Sequence, residues 1–397
     1  MCYNTTVKTP ANTQSLFVIV TGLGNSGKTQ QVLELLEAEV DGQPIATPTL
    51  YLLAESSGEG TAGKVLLDPD RCCVWPVATC EDAVVAVEAC FPHSGSLTLG
   101  AAKVKWHKHV CALASESKPP GTPPPAPPPS PRDGEVLRSV VVDTMSTLYK
   151  GSDDRHGELL KAEAEKKKEG SSKNRAGKKD APWNDLRITG GGAAKQAKHL
   201  AAVLNGATQH HRGLICLVTV HTTGAKQLVS GGEGEPAQSI VCGEVPDLGS
   251  ATPAAAGINV PGYSATWNTL AAKANIVVHC IADVPDYSRL TMAEINDPAK
   301  APAVKFGLIT AKGAYPGRGP VMWVKNQGGD GPLGYFSCMP RVWHPDVPCD
   351  DLVNVEVSGE AVKDDAGKVI RYIPKPSIGA MIAYALKQYN AERSGKA

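Results

Sequence analysis

The sequence predicts an α/β protein with a mainly parallel sheet flanked by helices on both faces, plus a small, partly β region at its C-terminal end. Three observations predict this. Apolar, β-branched runs alternate with helical spacing from about residue 15 to 290. The runs are apolar along their whole length, as strands buried on both faces must be. The first run breaks into a glycine-rich turn and then a helical stretch, the strand–turn–helix unit of such sheets.

In chain order, residues 16–20 (Leu-Phe-Val-Ile-Val) read as a strand and residues 29–38 as a helix. Residues 49–55 read as a strand ending in an acid, Glu55. Residues 80–90 read as a helix with Glu81 and Asp82 at its positive end. Residues 136–142 form a strand ending at Asp143, and 193–209 carry helical apolar spacing at Ala197, Leu200, Ala201 and Leu204. Residues 214–220 form a strand ending at His221; a helix at 266–273 feeds a strand at 275–281. Beyond residue 303 the strands shorten, with a hairpin expected between 321–325 and 334–337, and a helix at 377–392 closes the chain. The expected organisation is a tail at 1–14, a core at 15–290 and a β-rich extension with a terminal helix at 291–397.

Three inserts interrupt the core. Residues 113–135 surround nine prolines at 118–132, a density that calls for an extended, solvated spacer. Residues 150–190 read as a basic polar loop, with eight Lys/Arg against three Glu at 161–179. Residues 224–265 read as a second polar loop.

The 397 residues carry zero net charge, so any binding to nucleic acid or membrane must be local. No apolar run approaches a membrane span, and no membrane partner is expected. Eleven cysteines without a C-x-x-C pair or secretory signal suit reduced thiols in a cytoplasmic compartment. His107, His109 and Cys111 alternate as on a strand, near Cys72, Cys73, Cys80 and Cys90. Their spacing matches no zinc ribbon or finger, so buried thiols and a surface strand explain them better than a metal.

The chemistry concentrates at the strand ends. Gly22, Leu23, Gly24, Asn25, Ser26, Gly27, Lys28 and Thr29 spell G-x-x-x-x-G-K-T after a strand and before a helix, with Gln30 next. In that context the glycines let backbone N–H groups face phosphate oxygens at a helix N-terminus. Lys28 would reach the β- and γ-phosphates of ATP, and Thr29 would offer its hydroxyl to Mg²⁺. Asp143, after Ser-Val-Val-Val, would hold the same Mg²⁺, a helix N-cap being its alternative role. Glu55 is a candidate base for the attacking water or a solvated loop acid. His221 is a nucleotide-state sensor or a structural histidine.

The order of these parts resembles the RecA/RadA-type P-loop ATPase core. Beyond the phosphate loop, the shared features are the strand ending Ala54-Glu55, the strand ending Val141-Val142-Asp143 and the strand 214–221. A second polar loop and Asn268–Leu270, leading into Ile276-Val-Val-His279, complete the order. The chain is similar in this order to the small RecA-like ATPases of bacteriophages linked to recombination and single-strand annealing. The resemblance implies that Glu55 is the catalytic base, that the residue at His221 senses nucleotide, and that the two polar loops hold single-stranded DNA. His221 stands where RecA has glutamine, and the proline-rich insert is foreign to RecA. Lys312 and Arg318 match only by position the residue that acts across subunits. Lys166, Lys167 and Lys168 would then neutralise phosphates of single-stranded DNA and Trp183 would stack on a base, with a solvated charge run as the plain alternative. Self-association into a ring or filament, a single-strand-binding or replication partner, and a cytoplasmic setting (the host's, if the source is viral) would accompany this activity.

A P-loop motor or nucleotide-bound structural protein in virion assembly or DNA packaging is the competing reading. The crowded Asp346, Asp350 and Asp351 make a poor nuclease site for a packaging enzyme. A metabolic kinase would need an acceptor pocket and a lid, which the inserts do not resemble.

Overall fold

The structure, a computed structural model, describes residues 15–54 except 25, residues 68 and 70–116, 121–170, 183–229, 238–249 and 263–283, and short stretches between 291 and 386. Its centre is a mostly parallel sheet flanked by helices. The strands are β1 (Leu16–Gly22), β4 (Thr49–Leu53), β5 (Cys72–Pro76), β6 (Ser139–Asp143), β7 (Ile215–Val229), β9 (Ile276–Asp283) and β10 (Lys305–Ile309). A small hairpin, β2 (Glu39–Val40) with β3 (Gln43–Pro44), precedes β4. The sheet order is β10–β9–β1–β7–β6–β4–β5. Every pairing from β9 to β5 is parallel, and β10 joins antiparallel.

Alternation along β1 sends side chains into two separate cores. Phe17 and Ile19 face a cluster with α2 (Cys80–Cys90), α3 (Leu99–Glu116), α4 (Met145–Gly170), α5 (Trp183–His210) and α6 (Ala265–Lys273). Leu16, Val18 and Val20 face α1 (Lys28–Glu37) and the buried, helical Ile378, Ile382 and Leu386. With both faces covered, each large apolar strand residue contributes roughly 1.5–3 kcal/mol on burial, which is why these runs show no polar alternation. Helix α2 starts on a capping box: the Asp82 N–H donates to Thr79 Oγ1 (3.2 Å) and the Thr79 N–H donates back to the Asp82 carboxylate (3.0 Å).

Several expectations need correction. Residues 107–111 lie on α3, not on a strand, and Cys111 Sγ sits 3.6 Å from His107 Nε2 one turn away. Among the described residues no cluster of metal-ligating side chains forms. Burial pushes the Cys73 and Cys90 thiols up to about 12. The segment 150–190 is not a loop where it is described. It is occupied by the end of α4 and the start of α5, which pack against each other; residues 171–182 lie outside the described part. Strand β7 does not end at His221. It runs on to Val229 and folds back antiparallel onto β8 (Gln238–Pro246), with a bulge at Ala225/Lys226, so much of the expected second loop is a β-arm. Of the hairpin expected at 321–337, Val321 pairs instead with Gly313, in β11 (Gly313–Tyr315) and β12 (Gly319–Val321). Strand β13 (Lys325–Asn326) pairs with β9, and residues 334–337 lie outside the described part. The proline-rich segment has no helix or strand from 121 to 130 but is tied to α3. His107 Nε2 meets the Pro124 carbonyl at 3.0 Å, and the buried Lys103 donates to Asp133 at 2.8 Å. Among the described residues no helix is long and apolar enough to cross a membrane.

Candidate functional site

The carboxyl ends of β1, β6 and β4 meet at one edge beside His221 of β7, where ligands of parallel sheets bind. Strand β1 ends at Gly22, whose φ of 157° and close neighbours leave no room for a side chain: a Cβ would lie 2.2 Å from Ser26 Oγ and 2.6 Å from the Cys280 carbonyl. Gly27, at φ 85°, is the N-cap of α1 and supplies no side-chain acceptor, and the first turn of α1 holds no acid. The helix therefore presents its positive end to the loop with no side chain to cap it. Ser26 Oγ is buried without a hydrogen-bond partner among the described residues. Lys28 is buried, and its Nζ donates to the carbonyls of Gly22 (3.0 Å) and Leu23 (2.6 Å). Leu23, Gly24 and Gln30 are exposed around this turn, and Asn25 lies outside the described residues.

Asp143 ends β6 beside the loop. Its carboxylate is buried and accepts three hydroxyl hydrogen bonds. Thr29 Oγ1 donates at 3.1 Å and Tyr51 OH at 2.6 Å to one oxygen, and Thr219 Oγ1 at 2.6 Å to the other. Thr29 and Asp143, separated by 114 positions in sequence, are thus in direct contact. Tyr51 and Thr219 were not singled out from the sequence. Their signal was a hydroxyl inside an otherwise apolar, fully buried strand, which has to find a partner. Glu55 lies outside the described residues; the N–H of Ala54 before it donates to the Asp143 carbonyl at 2.8 Å.

His221 pairs in register with Gly22 across β1 and β7. Its N–H donates to Ser146 Oγ (3.0 Å), and Ser146 Oγ donates to the Asp247 carbonyl (2.8 Å). His221 lines a cleft of about 550 Å³ with Ser146, Tyr149, Lys150 and Asp247, past the end of β6. Behind the loop, Thr21 Oγ1 lies 3.0 Å from His279 Nδ1 and accepts from Trp323 Nε1 at 3.1 Å. His279 Nε2 lies 3.5 Å from Glu244 of the β7–β8 arm, and Glu244 accepts from Thr222 at 2.7 Å. Sequence reading missed this buried polar chain because its members come from four distant strands and a residue beyond the core.

Lys166, Lys167 and Lys168 fall near the end of α4 and Trp183 opens α5. Lys312 and Arg318 lie outside the described residues.

A triphosphate and its cation fit these residues. The side-chain-free helix start and the unpartnered Ser26 hydroxyl suit anionic oxygens. One carboxylate and one hydroxyl suit Mg²⁺, which takes few protein ligands and keeps water and phosphate oxygens. Compared with protein-family models and with curated proteins, the chain matches none.

Proposed function

We propose that the protein is a Mg²⁺-dependent ATPase with a RecA-like P-loop core, and that it couples ATP hydrolysis to single-stranded DNA. The observation that carries the nucleotide reading is the contact between Thr29 Oγ1 and Asp143 Oδ2 beside the glycine-rich turn. Lys28 would leave the Gly22 and Leu23 carbonyls for the β- and γ-phosphate oxygens, trading neutral acceptors for charged ones. Thr29 and Asp143 would hold Mg²⁺ between them, Asp143 directly or through water. When bound, the cation supplies charge neutralisation at the phosphates. Tyr51 and Thr219 would fix the Asp143 carboxylate in one orientation, so that little reorganisation is needed during turnover. Glu55, two residues past the end of β4, would orient the attacking water. His221, in register with Gly22, would pass the nucleotide state to the β7–β8 arm.

The DNA reading rests on the resemblance and on the basic composition near the α4–α5 junction. The test is ATP turnover with and without single-stranded DNA, for the parent and for Lys28→Ala. Turnover stimulated by DNA and lost in Lys28→Ala supports the proposal. Turnover indifferent to DNA removes the DNA half and leaves a P-loop motor or nucleotide-bound structural protein. A parent that neither binds nor turns over ATP removes both.

A further inference from the structure

A cavity of about 1060 Å³ lies at the opposite edge of the sheet, under the amino ends of β6 and β7, and plays no part in the chemistry above. Four arginines line it, and two of them are matched. Arg132 forms a forked pair with Glu135 (2.7 and 2.8 Å), and Arg71 reaches Asp68 (3.2 Å) and Glu37 (4.0 Å). Arg138 and Arg212 have no carboxylate within 4.0 Å among the described residues. Arg138 spends one N–H on the Pro44 carbonyl at 2.6 Å. Its other donors have no protein partner among the described residues and are open to a ligand from the cavity. Burial lowers the Arg138 pKa, Glu135 opposes this and the Arg132 charge adds to the lowering.

We propose that this cavity binds a small phosphorylated ligand of nucleotide size, with its phosphate on Arg138 and Arg212. Guanidinium forks match phosphate oxygens in pairs. The volume suits a mononucleotide, since such sites run to roughly 300–1,000 Å³. Val136, an apolar residue left 51% exposed on the wall, offers a surface for the ligand's organic part. A polynucleotide fits less well. Glu37, Glu39 and Glu135 share the cavity and would repel a chain of phosphates, whereas one phosphate group needs only the two unmatched arginines. The five residues of β6 set this site about 15 Å from Asp143 along the strand.

Equilibrium dialysis with labelled AMP and with inorganic phosphate tests this, using the full chain carrying Lys28→Ala to weaken the loop site. AMP should bind, inorganic phosphate should compete, and adding Arg138→Ala or Arg212→Ala should weaken AMP at least tenfold, the effect of losing charge-assisted bonds. Arg212 is exposed and makes no side-chain bond among the described residues, so it serves as the variant that keeps the fold if loss of the Arg138–Pro44 contact unfolds the chain. AMP binding unchanged by both substitutions, or no AMP binding at millimolar concentration, overturns the proposal. So does an oligonucleotide whose binding is lost in both variants while AMP is not held, which would assign the cavity to a nucleic-acid backbone.

Discussion

Three hydroxyls from three elements converge on the Asp143 carboxylate. Asp143→Asn keeps the shape but removes the charge that would hold the cation. ATP turnover should fall at least 100-fold, on the order seen when one electrostatic group of an active site is lost, while circular dichroism stays that of the parent. Lys28, Thr29 and Asp143 were legible in the sequence because a phosphate loop has fixed spacing and its acid ends a distinctive apolar strand. Tyr51 and Thr219 were not, since their partner is set by which strands become neighbours. His211 gives a prediction in pH. Its Nδ1 lies 3.0 Å from Ser96 Oγ and its Nε2 3.3 Å from the Phe91 carbonyl. Burial holds its pKa below the ordinary histidine value, the Phe91 carbonyl opposes this, and His210 and His93 add to the lowering. A group depressed in the folded state adds stability above its unfolded pKa of about 6.5, and that contribution is lost as pH falls through the lower folded value. Urea midpoints should therefore drop between pH 7 and 5, and His211→Gln should flatten that drop.

At the scale of elements, the misread segments share one cause: weak local signals settled by packing. Residues 150–170 are too polar to declare a helix, yet α4 gains its support by lying against α5. His107, His109 and Cys111 satisfy a period of two over so few residues that a helix fits them equally well. The β7–β8 arm hid behind its own glycines and serines, whereas strands that continue a buried core announce themselves. The anchor of the proline-rich segment is testable. Removing the carboxylate in Asp133→Ala leaves the buried Lys103 ammonium uncompensated and should cost about 2 kcal/mol in urea unfolding, below the value for a fully buried pair because Asp133 is partly exposed. A result near zero would mean that Lys103 finds water once Asp133 is gone.

For the molecule as a whole, the parallel sheet with helices on both faces was legible from uninterrupted apolar runs. The order β9–β1–β7–β6–β4–β5 was not, because strand neighbours are chosen by the complete packing arrangement. Helix α1 shares the second core with the sheet and with Ile378, Ile382 and Leu386. Ile382→Ala should cost roughly 2–5 kcal/mol and lower the Tm of the whole chain in a single transition. Mg²⁺–ATP at a hundred times its Kd should raise stability by about 2.7 kcal/mol in the parent and leave the Tm of Lys28→Ala unmoved in scanning fluorimetry.

The seam between α1 and the Ile378–Leu386 stretch has a consequence for how the chain is made. The Ile378 N–H donates to the Gln31 side chain at 2.8 Å across 347 positions of sequence. On a ribosome adding roughly 5–20 residues per second, the oily flank of α1 would wait on the order of tens of seconds for its cover. Throughout that interval the nascent protein offers chaperones a sticky surface that the finished molecule keeps shut.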